Sequence, residues 1–346
     1  MYSLEEINLS PGAWDAAVRN YKTKFLFHES VWLAYLEQTQ NGRRLLLSIR
    51  DGSNLIGYFC GVVVRKGPFR ILGSPLRGWM TICMGPALDQ FDQSAFLAAL
   101  EDFCRSRGID YVELCAPILE AAPMLTAGFA SEDGVSLVVP ILPQEKMWQR
   151  LTSECRNRIR RGQKNGLRVE VASDPEVMFD FYEQVQVVFA QKHLNFHHSR
   201  EMIRALWDHL YPVGQLLAVR IFHDTNCVAT GIFPFDERVI YFWGGASKSG
   251  ANHLCPNELV HWTAMTFAAE HGIPLYDMCG GGGRFKAKFG AHAVPRIRYY
   301  KGLSASARIA RELYKTFWFG RRQLFQRLRR WRSEERLATE PVGHEG

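Results

Sequence analysis

The stretch Tyr276-Asp277-Met278-Cys279-Gly280-Gly281-Gly282-Gly283-Arg284-Phe285-Lys286-Ala287-Lys288-Phe289-Gly290 sets the terms on which this 346-residue chain is read. An apolar run ends in an acid, four glycines follow, and two lysines then stand between Phe285 and Phe289. Glycine lets the backbone take positive φ and approach a bound molecule closely, and a lysine bracketed by aromatic rings is a fixed, partly dehydrated cation. That combination suits a transferase that holds an oxyanion. Just upstream, the order helix, Gly272-Ile273, strand over Val260 to Met278 repeats the order helix, Gly108-Ile109, strand over Phe96 to Glu113, an offset of about 164 residues. Gly128-Phe129 falls near Phe289-Gly290 at a similar offset. The repeat predicts two copies of one mixed α/β domain, each a mostly antiparallel central sheet flanked by helices. Pro140 and Pro143 place the boundary, giving domains over 1–143 and 144–302 and a tail over 303–346.

Working outward, Arg44 to Ile49 and Ile56 to Val64 are β-rich runs around the turn Asp51-Gly52-Ser53-Asn54 and predict a hairpin. A helix from about Ser94 to Arg107, a strand Tyr111 to Cys115 and a last strand Val135 to Ile141 complete the first copy. The second opens with a helix running through Trp148, Leu151, Cys155 and Ile159, then a strand Arg168 to Val171 and helices Pro175 to Ala190 and Ser199 to Tyr211. Strands Leu216 to Phe222, Val228 to Phe233 and Val239 to Trp243 lead into a helix Asn257 to His271.

Composition narrows the classes of function. With 47% hydrophobic and 22% charged residues, the chain is globular rather than disordered, and it is long enough for two cores. No leader pattern opens it and no apolar run approaches eighteen residues, so a cytoplasmic protein is expected. Eight scattered cysteines, without C-x-x-C spacing, read as buried thiols. His193, His197 and His198 lack a carboxylate or cysteine at ligand spacing, so no metal is expected. Between Leu303 and Leu337, ten Lys or Arg face three acids, a local +7 equal to the excess of the whole chain. Ile309, Leu313, Phe317, Leu324, Leu328 and Trp331 form one apolar stripe there. A basic amphipathic helix of this kind binds an anionic membrane surface, or it docks on the body with a solvated basic face. With the body near neutral, DNA is not an expected partner.

Four motifs in order resemble the Fem family of peptidyltransferases: Phe25-Leu26-Phe27-His28-Glu29-Ser30-Val31-Trp32, Cys155-Arg156-Asn157-Arg158-Ile159-Arg160-Arg161-Gly162, Pro256-Asn257-Glu258-Leu259-Val260-His261-Trp262, and Tyr276-Asp277 with Phe285-Lys286-Ala287-Lys288-Phe289-Gly290. The resemblance covers most of residues 25 to 302. It implies two tandem domains of the GNAT acetyltransferase fold and no cofactor. It also implies transfer of an aminoacyl group from aminoacyl-tRNA to an amine of a nucleotide- or lipid-linked cell-envelope precursor, as in peptidoglycan biosynthesis, at the inner face of the membrane. The long charged coiled-coil insertion of several family members is missing here. Related proteins with a similar lysine motif acylate amino sugars, which keeps acetyl-CoA or another acyl-CoA open as donor. A third reading is a non-catalytic, membrane-associated binding protein.

The loop that holds the CoA pyrophosphate in ordinary GNAT enzymes has the pattern [QR]-x-x-G-x-[GA] before a helix N-terminus. Here that position reads Ala246-Ser247-Lys248-Ser249-Gly250-Ala251 and does not match, which favours the aminoacyl donor. The resemblance points to Lys286 as the oxyanion-stabilising group. Asp277, at a strand end, either accepts a proton from the attacking ammonium or fixes a turn. Phe285 and Lys288 are candidates for substrate contact, as are Tyr241 and Trp243 on an aromatic strand leading to Gly244-Gly245. Arg156, Arg160 and Lys164 recur every four residues as a positive ridge suited to phosphates, or as a solvated helix end. Asn257 is read first as a helix cap and second as a ligand contact.

Overall fold

The computed structural model describes residues 1–196, 198–281 and 283–313. Its first half contains β1 (Tyr2–Glu6), α1 (Pro11–Val18), α2 (Ser30–Gln40), β2 (Arg43–Asp51), β3 (Asn54–Lys66), β4 (Phe69–Ser74), β5 (Gly85–Leu88), α3 (Gln93–Ser106), β6 (Tyr111–Leu114), α4 (Ala121–Thr126) and β7 (Ala130–Glu132). Then come β8 (Val135–Pro140), α5 (Gln144–Arg150), α6 (Ser153–Lys164), β9 (Leu167–Val171), α7 (Glu176–Gln191), α8 (Arg200–Leu210), β10 (Leu216–His223) and β11 (Asn226–Pro234). The chain finishes through β12 (Val239–Tyr241), β13 (Gly244–Ser247), α9 (Pro256–Glu270), β14 (Leu275–Asp277), α10 (Gly283–Ala287), β15 (His292–Pro295) and β16 (Arg298–Gly302).

The two halves share one plan. In each, a set of antiparallel strands (β1 to β4, then β9 to β11 with β13) is followed by a helix and a parallel strand, so that β4 pairs with β6 and β12 with β14. The expected mixed α/β class with mostly antiparallel sheets holds. The sheets, however, do not divide at residue 143. Strand β8 lies between β14 and β15, with Tyr276 opposite Val139 and Ala293 opposite Leu137. In return, β16 lies between β6 and β7, with Tyr300 opposite both Glu113 and Ala130. Each half therefore supplies the strand that completes the other's sheet, and the strand orders β6-β16-β7 and β14-β8-β15 correspond.

A core shared by Trp14, Phe27 and Trp32 of the first half and Phe181, Trp207 and Tyr241 of the second joins them further. Burial of this area is the dominant stabilising term. At its edge, the buried Lys24 ammonium pairs with Glu29, with Asp236 at 3.7 Å and with Glu237 at 3.2 Å. Among the described residues, these three acids are the group with metal-ligand spacing, and Lys24 supplies the positive charge there.

Three expectations are corrected. The helix through Trp148 and Ile159 is two helices, because Leu151 is extended and the Thr152 hydroxyl accepts the Cys155 N–H at 3.2 Å, starting a new N-terminus. The strand Val239 to Trp243 breaks after Tyr241. Asn257 lies inside α9 rather than capping it, since Cys255, in a left-handed conformation (φ 63°), precedes Pro256. All eight cysteines are free, seven buried and Cys279 half-buried. No helix among the described residues is long and apolar enough to cross a membrane. Of the basic tail, 303–313 is described; it is helical from 305, with Ile309 and Leu313 exposed, and the remainder of the predicted stripe lies outside the described residues.

Candidate active site

Strands β12 and β13 are one strand parted at Phe242-Trp243. The Phe242 N–H donates to the Asp277 carbonyl at 2.8 Å, while the next N–H, of Trp243, donates to Ile232 at 3.0 Å. From that point β13 follows β11 and leaves β14, so a cleft opens between them. Gly244 and Gly245 fit the parting: a Cβ would lie 2.8 Å from the Phe181 ring at one and 2.9 Å from the Phe242 ring at the other. The resulting cavity, about 260 Å3, is lined by Phe242, Ser247, Asn257, His261, Phe285 and Lys286 among others.

Lys286 comes into this cleft on the short α10, directly after the glycine run. Its buried Nζ donates to the carbonyls of Met278, of Cys279 at 3.1 Å and of Gly280 at 2.9 Å. An ammonium has three N–H donors, and these three carbonyls take them all. Burial holds its pKa below the ordinary lysine value, opposed by Cys279 and Asp277. The contact fixes a sharply turned segment in which Cys279 has φ +60°. The same Cys279-Gly280 backbone lines a second cavity, about 230 Å3, at the seam between the halves, together with Ser136, Arg296 and Arg298.

On the facing helix, His261 is buried and its Nδ1 lies 2.6 Å from the Tyr276 hydroxyl. The rings of Phe242, Phe285 and Phe289 stand 4.6, 5.4 and 5.3 Å from the imidazole. Burial, and secondarily the Lys286 charge, depress its pKa to about 3, so the imidazole is neutral.

Comparison with known proteins agrees with this architecture. Residues 149–287, which include the cleft, match the family model described as an acetyltransferase (GNAT) domain. This segment is a GNAT-type acyltransferase domain. Among solved structures, FemX is similar at a TM-score of 0.68 and 13% identity, over 85% of this chain and 96% of FemX. The C-terminal domain of a putative lysylphosphatidylglycerol synthetase from Agrobacterium fabrum is similar at 0.55 and 15%, over 89% and 97%. A tandem GNAT protein from the clavulanic acid biosynthesis pathway is similar at 0.50 and 8%, over 87% and 99%. At these identities the likeness is one of fold. By sequence, no curated protein matches the chain.

Within the GNAT domain, the predicted residues separate. Phe285 and Asn257 join Lys286 at the cleft, Asn257 donating to the Ser247 hydroxyl at 3.3 Å. Asp277 does not: alternation along β14 sends it away from the Tyr276 side, where it accepts the Cys279 N–H at 2.8 Å and pairs with Arg296 at 3.3 Å. That is the turn-fixing role, in a buried ion pair. Tyr241 and Trp243 also point away, packing on Phe27 and Phe181 in the shared core, and Phe242 between them faces the cleft. Lys288 pairs with Glu154 at 2.6 Å. The basic ridge is largely engaged by the protein itself: Arg156 donates to the Leu151 and Gln149 carbonyls that end α5, Arg160 lies over the Trp148 ring, and Lys164 is exposed.

The sequence places His261, Glu258 and Tyr276 within motifs without singling them out, and leaves open which of Tyr241, Phe242 and Trp243 faces a cleft. A histidine between Val260 and Trp262 carries the signature of a core residue. Glu258 was hidden as an ordinary first-turn acid, yet it is buried, donated to by Arg158 of α6 and 3.9 Å from Lys288. Helix α6 packs against this end of α9 so closely that a Cβ on Gly162 would lie 2.8 Å from Leu259 and 3.3 Å from the Cys255 carbonyl.

Proposed function

We propose that the protein transfers an aminoacyl group from aminoacyl-tRNA to an amine of a cell-envelope precursor. The observation that carries the choice of donor is the start of α9. In a GNAT fold this helix end, with its unpaired N–H groups and positive potential, is where an acyl-CoA pyrophosphate is held. Here Pro256 removes one donor, the Glu258 carboxylate sits in the first turn, and α6 is packed alongside with Arg158 bound to that carboxylate. A second anion at this end competes with a carboxylate that is already in place and already paired with Arg158. An aminoacyl ester has no pyrophosphate to accommodate there, and its small reactive end fits a cavity of about 260 Å3.

The acceptor reaches the ester from the seam side, across the Cys279-Gly280 segment, where Arg296 and Arg298 line the second cavity. Attack by a neutral amine on the ester carbonyl forms the amide directly and releases the tRNA hydroxyl, with no covalent enzyme intermediate. Lys286 holds the segment between the two cavities in shape; to touch an oxyanion it would have to release one of its three carbonyls. The likeness to FemX and to a lysylphosphatidylglycerol synthetase domain supports envelope acceptors, and the exposed Ile309 and Leu313 at the start of the basic tail support work at a lipid surface.

The test is a transfer assay with tRNA charged by a pool of labelled amino acids, offered nucleotide-linked peptidoglycan precursor in one arm and phosphatidylglycerol vesicles in the other. Label moving from tRNA to the precursor supports the reading. Label moving only to the lipid moves the acceptor to a hydroxyl, and transfer only from labelled acetyl-CoA overturns the donor.

A further inference from the structure

We propose that His261 is the oxyanion donor of this site, presenting a neutral Nε2–H to the carbonyl oxygen of the bound ester. This rests on the acyl-transfer reading given above and names the residue that serves its central step.

The tautomer follows from hydrogen-bond bookkeeping. Tyr276 is fully buried, and the partner its hydroxyl has among the described residues is His261 Nδ1, at 2.6 Å. A buried O–H left without an acceptor is more costly than a buried oxygen left short of a donor, so the phenol donates and Nδ1 accepts. A neutral imidazole that accepts at Nδ1 carries its hydrogen at Nε2. No hydrogen bond to Nε2 is present among the described residues, and the ring lines the cleft. Burial among the rings of Phe242, Phe285 and Phe289 keeps the imidazole uncharged and oriented, and the Lys286 charge acts in the same direction as a smaller effect. A neutral donor of fixed direction stabilises a developing oxyanion without needing to reorganise and without surrendering a proton to it.

Lys286, by contrast, has its three donors committed. The division of labour is therefore that Lys286 shapes the wall and adds to the burial that keeps His261 neutral, while His261 contacts the reacting oxygen. In the step itself, the amine lone pair forms the C–N bond, the carbonyl π pair moves onto oxygen, and that oxygen accepts the Nε2–H hydrogen bond. Collapse restores the C=O bond and expels the ribose oxygen, which leaves with the proton lost by the amine; His261 begins and ends neutral.

The experiment uses the full chain labelled with 15N-histidine, with His261 assigned by its loss in H261Q. Long-range 1H–15N correlation at pH 7 is expected to show the Nε2–H pattern, and Y276F is expected to shift His261 toward a mixture of tautomers. An Nδ1–H pattern or a charged ring at pH 7 overturns the proposal. In transfer kinetics, H261F is expected to lower kcat about 10²–10³-fold with KM for the donor within a few-fold, the effect of losing one oxyanion donor. H261Q, whose amide N–H reaches the Nε2 position, recovers part of the loss. Folding of each variant is checked by its thermal melt, and Y276F, which leaves the imidazole in place, carries the kinetic test should H261F fail to fold: a fall in kcat at unchanged KM supports the proposal. A kcat within threefold of wild type for a folded H261F overturns it. A wild type that uses acetyl-CoA and not charged tRNA overturns the donor reading alone; His261 is then judged by the same kcat criterion with acetyl-CoA.

Discussion

Arg158 on α6 donates to Glu258 in the first turn of α9, joining two helices at the point where a GNAT fold ordinarily receives the phosphates of its donor. The carboxylate is buried, and the guanidinium is about one-third exposed. Removing the arginine leaves the buried charge to Lys288 at 3.9 Å. R158A is expected to lower stability by about 1.5–3 kcal/mol, the worth of a hydrogen bond to a charged group. R158A/E258Q should recover much of that, as read from urea unfolding midpoints. Equal losses in the single and double variants would mean that the pair is not coupled.

Lys286 makes a second prediction through its three carbonyls. K286M keeps the length and apolar bulk of the side chain but leaves the Met278, Cys279 and Gly280 carbonyls short of donors. Stability is expected to fall by about 1–3 kcal/mol, chiefly the cost of stranding the buried Met278 carbonyl, since Cys279 keeps the Leu137 N–H and Gly280 is exposed, and turnover to fall with it as the Cys279-Gly280 segment loosens. Unfolding curves and kcat measured on the same preparations check both. Lost turnover at unchanged stability would return Lys286 to the role of direct oxyanion contact.

Much of this site was legible as pattern and little of it as geometry. The repeat could be read because Gly108-Ile109 and Gly272-Ile273 end corresponding helices and precede corresponding strands. The exchange of β8 and β16 could not, because a strand's own alternation does not name its partner: Val135 to Pro140 has the same pattern in either sheet. The break between α5 and α6 was obscured because the spacing of Trp148, Leu151, Cys155 and Ile159 continues through the Thr152 cap. Three aromatic residues in a row, Tyr241 to Trp243, give no sign of which face is core, and here the middle one meets the cleft. His261 stands within a motif that does not single it out, for a physical reason: the apolar surroundings that keep it neutral also make it look like core.

The buried histidine also sets a pH dependence. His261 has a folded-state pKa of about 3, below the 6.5 of an unexposed-to-partners imidazole in the unfolded chain. Below pH 6.5 the unfolded state therefore binds the extra proton. The contribution of His261 to stability is fully present above pH 6.5 and is lost as pH falls toward 3, by about 1.4 kcal/mol per pH unit. The difference in unfolding free energy between wild type and H261Q should follow that slope between pH 6 and pH 4, on top of a similar slope common to both proteins from His28, whose pKa burial lowers to about 4. A difference independent of pH would show that His261 titrates normally.

At the seam, Lys24 holds Glu29, Asp236 and Glu237 together. Burial lowers its pKa, but the three carboxylates outweigh that and leave it raised. K24M strands buried acids whose pKa values burial already raises, Glu29 and Asp236. The expected loss is about 3–5 kcal/mol at pH 8, and it should shrink toward pH 5, where those carboxyls take up protons in the folded state before the unfolded chain does. Melting temperatures of wild type and K24M across that range test the sign; a loss that grows on acidification would contradict it.

Equilibrium binding separates the two candidate donors. Purified full-length protein is titrated with acetyl-CoA and, in the same buffer and salt, with a pool of charged tRNA against uncharged tRNA. The occupied start of α9 predicts a preference for charged over uncharged tRNA and no saturable binding of acetyl-CoA. Saturable acetyl-CoA binding with no preference for charged tRNA would contradict it.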